Sequence, residues 1–233
     1  MKTYNCACGE LLFFENISCV NCGREVGFLP DVTYLSSLEK PDDGGQYKAN
    51  AMESGGRLYK KCQNYARHNV CNWMVPVDKT DEAFCTSCRL DVVIPDLSIP
   101  VNVERWAAIE AAKRRLVYTA LRLQLPLANR TEEPQTGLGF RFMGDTINPD
   151  GTVAGKVITE HNEGLITLNL NEADDSMREK MRTSMREPYR TLLGHFRHES
   201  GHYYWDRLVK DTKFLEPCRA IFGDDRQDYG ESM

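Results

Sequence analysis

Nowhere in the 233 residues do about 18 apolar residues follow one another, so no stretch is long enough to span a bilayer. The opening Met-Lys-Thr-Tyr-Asn-Cys-Ala-Cys-Gly holds no apolar segment of the signal-peptide kind, and the expectation is a cytoplasmic protein. Positive charge is in the minority: 29 Lys and Arg against 34 Asp and Glu leave a net charge of −5, which argues against holding nucleic acid by bulk charge. Residues 57–68 carry Arg57, Lys60, Lys61 and Arg67 but lack the interleaved aromatics that RNA-binding surfaces use. Internal repeats and low-complexity tracts are also missing. With 41% hydrophobic and 27% charged residues, what remains is a globular chain with room for one ordinary domain and a small satellite.

Cysteine, by contrast, is plentiful. Eight of the nine cysteines fall within the first 88 residues, and the ninth, Cys218, stands alone. Without a secretion signal, clustered thiols read as metal ligands rather than disulfides. Cys6-Ala-Cys8-Gly9 and Cys19-Val-Asn-Cys22-Gly23 are separated by ten residues, the length of a short hairpin. Glycine after a thiolate permits the tight turn that aims backbone N–H groups at sulfur. These four cysteines are expected to form a structural zinc site. Cys85-Thr-Ser-Cys88 is a second two-residue knuckle, whereas Cys62 and Cys71 have eight residues between them. An irregular loop over 62–71 would let all four close on a second zinc ion; exchange of ligands between the two sets is the alternative. Cys218 is expected to be a small core or surface residue without a partner.

The organisation expected is α+β. A zinc-ribbon-type β region fills residues 1–100, with thiolate sites in 1–30 and 58–95, and a zincin-like domain with a small sheet fills 101–233. Leu11–Phe14 and Val26–Leu29 read as strands, and 40–57 as a linker or mobile loop. Val103–Leu125 has helical spacing and ends before Pro126, with Lys113, Arg114, Arg115 and Arg122 as a solvated basic face. Alternation marks strands at 138–142, 156–159 and 165–170, with a turn at 148–151. A polar helix is expected from Asn171 to about Ser184, and another from Pro188 to about Val209.

That last helix contains His198-Glu199-Ser-Gly-His202. Residues i and i+4 lie about 40° apart around a helix, so both imidazoles can face one metal ion. Glu199 sits roughly 100° from His198, poorly placed as a ligand and well placed to take a proton from water at that ion. The strand at 165–170 is expected to lie as an edge strand above the site, where an extended peptide could pair with it. Gly201 is compatible with close approach of another backbone. His195 reads as a satisfied half-buried side chain, with a carboxylate partner as the other option; His68 and His161 read as surface residues. Tyr203 and Tyr204 read as packing, which leaves no assigned donor for an oxyanion.

These motifs together carry a resemblance. Cys-x-Cys-Gly (6–9), Cys-x-x-Cys-Gly (19–23), Cys-Asn-Trp-Met-Val-Pro (71–76), Arg-Leu-Asp-Val-Val-Ile-Pro-Asp-Leu (89–97) and the run from Pro188 to Asp206 resemble the bacterial zinc metallopeptidases that carry a zinc ribbon. The resemblance implies a ribbon joined to a gluzincin-like domain that uses one catalytic zinc and up to two structural ones. It also implies a third zinc ligand from a later glutamate. After His202 the carboxylates are Glu216, Asp224, Asp225, Asp228 and Glu231. The expectation is a chain shortened at its C-terminus, the alternative being an aspartate near 224–228 as ligand. The function expected is zinc-dependent peptide hydrolysis, with the ribbon recruiting or orienting a protein partner. A non-catalytic, zinc-stabilised binding module with a degenerate peptidase domain is the competing reading.

Overall fold

Tight turns at the thiol knuckles force the first part of the chain into short strands. β1 (Tyr4–Asn5) pairs antiparallel with β2 (Leu11–Leu12) across the Cys6–Gly9 turn, where the Gly9 N–H donates to the Cys6 carbonyl at 2.9 Å. The computed structural model describes residues 2–174, 178–179 and 191–227. β3 (Val26–Leu29) and β4 (Tyr34–Ser37) form a hairpin, and all four residues of β3 are buried. β5 (Tyr47–Lys48), β6 (Leu58–Lys61) and β7 (Met74–Pro76) make a three-stranded antiparallel sheet, and α1 (Gln63–His68) follows β6. The stretch 40–57 is therefore not a linker. Asp42 Oδ1 accepts from the N–H groups of Gly44 (3.0 Å) and Gln46 (2.8 Å), closing a turn that returns the chain to the sheet as β5.

The second part is built on α2 (Pro100–Arg122), which starts with proline at its first turn, where a missing N–H costs nothing. Beside it lies a four-stranded sheet in the order β12 (Glu160–Asn162), β13 (Leu165–Asn169), β9 (Gly139–Met143), β8 (Asp91–Val93). β8 and β13 both run parallel to β9, while β12 runs antiparallel to β13. β13 is therefore an inner strand. The edge expected at 165–170 belongs to β12 instead, because a two-residue turn at Glu163-Gly164 folds that strand back along β13. Both turn residues have positive φ, 45° and 85°. A Cβ on Gly164 would come within 2.7 Å of the Thr136 and Gly137 carbonyl oxygens, so only glycine fits.

Residues 156–159 pair with no strand; the Val157 N–H donates to Asp145 Oδ1 instead (2.8 Å). Around the expected 148–151 turn, β10 (Thr146–Ile147) and β11 (Val153–Gly155) pair as a ribbon of their own. Leu170–Ala173 is one 3₁₀ turn, and most of the polar helix expected up to Ser184 lies outside the described residues, as does Pro188. α3 (Leu192–Leu208) begins where Thr191 Oγ1 accepts from the Gly194 N–H at 3.0 Å, an N-cap. α4 (Leu215–Phe222) follows with none of its residues buried. No helix among the described residues is long and apolar enough to cross a membrane.

One apolar core runs through the whole arrangement, from Leu12, Phe28 and Trp73 to Trp106, Phe140, Phe142 and Phe196. Each such side chain contributes about 1.5–3 kcal/mol by leaving water. α2 is the shared wall: Tyr118 meets Phe14 (5.2 Å) and Phe28 (5.8 Å) of the N-terminal part. The basic cluster on α2 is a solvated face only in part: Arg122 is exposed and Arg115 half-exposed, whereas Lys113 and Arg114 are buried. Lys113 is fully buried, pairs with Asp91 and with Glu110 (2.7 Å), and lies over the Phe140 and Phe142 rings. Arg114 is also buried; it donates to the Val70 carbonyl and to Glu15 Oε2 (2.8 Å), and Arg115 takes the other Glu15 oxygen (3.0 Å). Carboxylates and a carbonyl contributed by the N-terminal part turn what helical periodicity marks as surface into an ionic seam.

Candidate metal centres

Two sets of four thiols converge, each with all its sulfurs within 4.8 Å of one another: Cys6, Cys8, Cys19 and Cys22, then Cys62, Cys71, Cys85 and Cys88. No ligand is exchanged between the sets. At a Zn–S distance of about 2.3 Å a tetrahedral site separates its sulfurs by about 3.8 Å. The observed separations are 3.6 Å (Cys6–Cys22), 3.7 Å (Cys8–Cys19) and 3.8 Å (Cys71–Cys85), so the donor sets fit zinc in number, chemistry and spacing. In the first set Cys8 and Cys22 are exposed. The Arg24 backbone N–H, followed by its guanidinium, holds the Cys22 thiol down at about 6, readying an anionic sulfur. Cys19→Ala is expected to lower the zinc content by one ion per chain, measured by elemental analysis; an unchanged count would remove this site.

The second set is wholly buried. Its wide spacing is absorbed by α1, which starts directly after Cys62 and ends at Asn69 in the left-handed conformation (φ 55°), turning the chain back to Cys71. Backbone N–H groups of Trp73 and Cys85 donate to Cys71 Sγ (3.3 Å) and Cys62 Sγ (3.4 Å). Burial pushes the Cys85 thiol well up, which favours its neutral form in the absence of a cation. Cys88, Asp91 and Glu110 also lie within 4.8 Å of one another, but the Lys113 ammonium already pairs with both carboxylates and Cys88 belongs to the four-thiol set. Cys218 stands apart on α4.

On α3, His198 Nε2 and His202 Nε2 lie 3.3 Å apart. Two nitrogens each about 2.0–2.1 Å from a tetrahedral ion would stand about 3.3–3.4 Å apart, so the pair fits zinc. Both rings are exposed and Glu199, one position on, is half-buried. The helix is anchored on its other side by Phe196, whose ring meets Phe140 (5.4 Å) and Phe142 (6.4 Å), and by the Tyr204 hydroxyl, which donates to the Pro126 carbonyl (3.1 Å). Tyr203 is buried beneath the Arg207 guanidinium. Nothing lies within 4 Å of a Cβ placed on Gly201, so the close backbone approach expected there is not seen among the described residues.

His195 Nδ1 lies 3.2 Å from the buried Glu172 carboxylate, which gives it both a half-buried setting and the carboxylate partner. His68 is half-buried against the Trp106 ring (5.6 Å) and is not a free surface residue. His161 is likewise not isolated. It sits half-buried on β12 with its ring 6.0 Å from that of His202 and 13° from parallel. Burial first, then His202 and Arg130, depress its pKa against the pull of Asp206. The hairpin that brings it there joins residues remote from α3 in sequence, which left no local signal to find it.

No third His, Cys, Asp or Glu among the described residues joins His198 and His202 in a cluster of that kind. Asp224 is engaged by Arg226 (2.8 Å), Asp225 by Arg219 (2.6 Å) and Glu216 by Arg219 (2.7 Å). Asp228 and Glu231 lie outside the described residues. A cleft of about 460 Å³ opens beside the second thiol set, lined by Asn64, Asp81, Glu82, Arg89, Asp91 and Glu132. The histidine pair lies outside it, beside β12.

Comparison with known proteins matches two families along the chain. A zinc-ribbon domain model matches residues 3–99, and a family described as "Putative zinc-binding metallo-peptidase" matches residues 102–233. Similar chains include an uncharacterized protein of Mycobacterium bovis and two of Mycobacterium tuberculosis, each 36% identical over 235 residues, covering 100% of this chain. The chain spans 62% of the length of these relatives. No solved structure matches. With the family model matched across more than half of its residues, the chain belongs to the family described as "Putative zinc-binding metallo-peptidase" and carries an N-terminal zinc-ribbon domain.

Proposed function

We propose that the chain hydrolyses peptide bonds, with one zinc ion on His198 and His202, Glu199 as general base, and two structural zinc ions on the thiolate sets. The observation that carries this reading is the 3.3 Å approach of the two imidazole Nε2 atoms on an exposed helix face, with Glu199 beside them. Zinc held there supplies Lewis acidity toward water and toward a carbonyl group. Glu199 takes a proton at its carboxylate from the attacking water and delivers it to the leaving amine. The outer edge of β12 offers main-chain groups to an extended substrate, and α3 packs directly against that strand. In this reading residues 1–100 orient a protein partner and 101–233 carry out the reaction. The free thiolate sets suit a reducing, cytoplasmic setting.

The test is zinc per chain together with hydrolysis of a quenched fluorescent peptide, on the native protein and on His198→Ala/His202→Ala. Loss of one zinc ion and of hydrolysis is the expected result. An unchanged zinc content with no hydrolysis by either protein would instead favour a zinc-stabilised binding module. That second reading draws on one observation, the lack of a third ligand for the helix site among the described residues.

A further inference from the structure

The sequence assigns no donor to the carbonyl oxygen on which negative charge would build during attack. The structure places an unused one next to His202. We propose that His161 is that donor: its Nδ1–H would hydrogen-bond the substrate carbonyl oxygen and the charge that develops there. This rests on the peptidase reading given above.

The argument begins with the hairpin. The turn at Glu163-Gly164 holds β12 against β13, and the Gly164 N–H donates to His161 Nε2 at 2.8 Å. An accepting Nε2 puts the ring proton on Nδ1. Among the described residues nothing accepts from Nδ1, and the atom is not sealed from solvent as the buried unpaired groups of the protein are. The ring therefore presents one committed nitrogen and one free N–H. Its position is fixed by backbone, since the turn closes only with glycine at 164. It stacks nearly parallel to the His202 ring with 6.0 Å between centroids, yet it forms no ligand cluster with His198 and His202. The ring thus stands beside the histidine pair without adding a ligand to it. Because β12 is also the sheet edge nearest α3, a peptide paired along it would bring its own carbonyls past this N–H.

The test uses the zinc-loaded full chain and two readouts: binding of acetohydroxamate by titration calorimetry, and hydrolysis of a quenched fluorescent peptide. His161→Ala is expected to weaken acetohydroxamate roughly tenfold, the loss of one hydrogen bond. It should lower kcat by about 10²–10³-fold with little change in KM and no change in zinc content, as removal of an oxyanion donor does. His161→Gln, which keeps an N–H donor, should recover part of both. Unchanged acetohydroxamate binding and kcat in His161→Ala would overturn the assignment and leave the peptidase reading standing. Loss of a zinc ion in His161→Ala would overturn it too, by making His161 a ligand or a support for one. Failure of the native protein both to bind acetohydroxamate and to hydrolyse peptide would remove the peptidase reading and this inference together.

Discussion

Glu199→Gln is expected to lower peptide hydrolysis by about 10²–10⁴-fold, the usual contribution of a positioned general base. Gln has the same shape and can still accept a hydrogen bond at its carbonyl oxygen, but it cannot take up the proton of the attacking water. Its position on α3 separates this effect from metal binding: the helix turns roughly 100° from His198 to Glu199, so the carboxylate lies beside the imidazole pair and not between them. Zinc content should therefore stay at the native value, and KM should move little while kcat falls. The measurement is steady-state kinetics on a quenched fluorescent peptide together with elemental analysis of the same preparation. Full hydrolysis by the variant would eliminate Glu199 as the base, and a lost zinc ion would recast it as a ligand.

Lys113→Met is expected to destabilise the fold by about 3–5 kcal/mol, the cost of leaving buried charge without its partner. For a chain of this size that corresponds to a fall in Tm of roughly 6–20 °C. The side chain is fully buried, as is Glu110, and Asp91 is nearly so. Burial and the neighbouring Glu110 push the Asp91 carboxyl well up, while the two carboxylates hold Lys113 protonated despite its own burial. Removing the ammonium leaves two acids facing each other, one of them 3.7 Å from Cys88 Sγ. Adding Asp91→Asn and Glu110→Gln should return much of the loss, because the amides carry no charge to strand. Thermal and urea unfolding of the zinc-loaded proteins provide the comparison. A loss below about 1 kcal/mol in the single variant would place this triad among the energetically idle surface pairs.

The parts of this molecule that were legible in sequence are those whose determinants are local. Knuckle spacing identified both thiol sets, and the i, i+4 histidines gave the helix and the face on which their two rings meet. Alternation found β9 and β13. Non-local partners were beyond its reach. Lys113 looks like one turn of a wet basic face until Asp91, from a strand far along the chain, arrives at its ammonium. The edge strand was misplaced because Leu165–Asn169 alternates more cleanly than Glu160–Asn162, whose strand character comes from a glycine turn and its neighbour. His161 follows the same rule: it acquires meaning only when the hairpin carries it to α3. Segment 40–57 looked unstructured by composition, although its aspartate turn makes hydrogen bonds that composition does not encode.

β8 begins three residues after Cys88 and forms one border of the sheet whose opposite border lies beside the histidine pair. The last cysteine of the second thiol set and the first border strand of the sheet are thus one continuous piece of backbone. Neither half can be transplanted intact: cutting at residue 100 would strip the sheet of a strand and deprive Lys113 of Asp91. The chain is modular on paper and monolithic in space, so loss of order in the cysteine-rich part would be felt directly in the sheet beside the histidine pair.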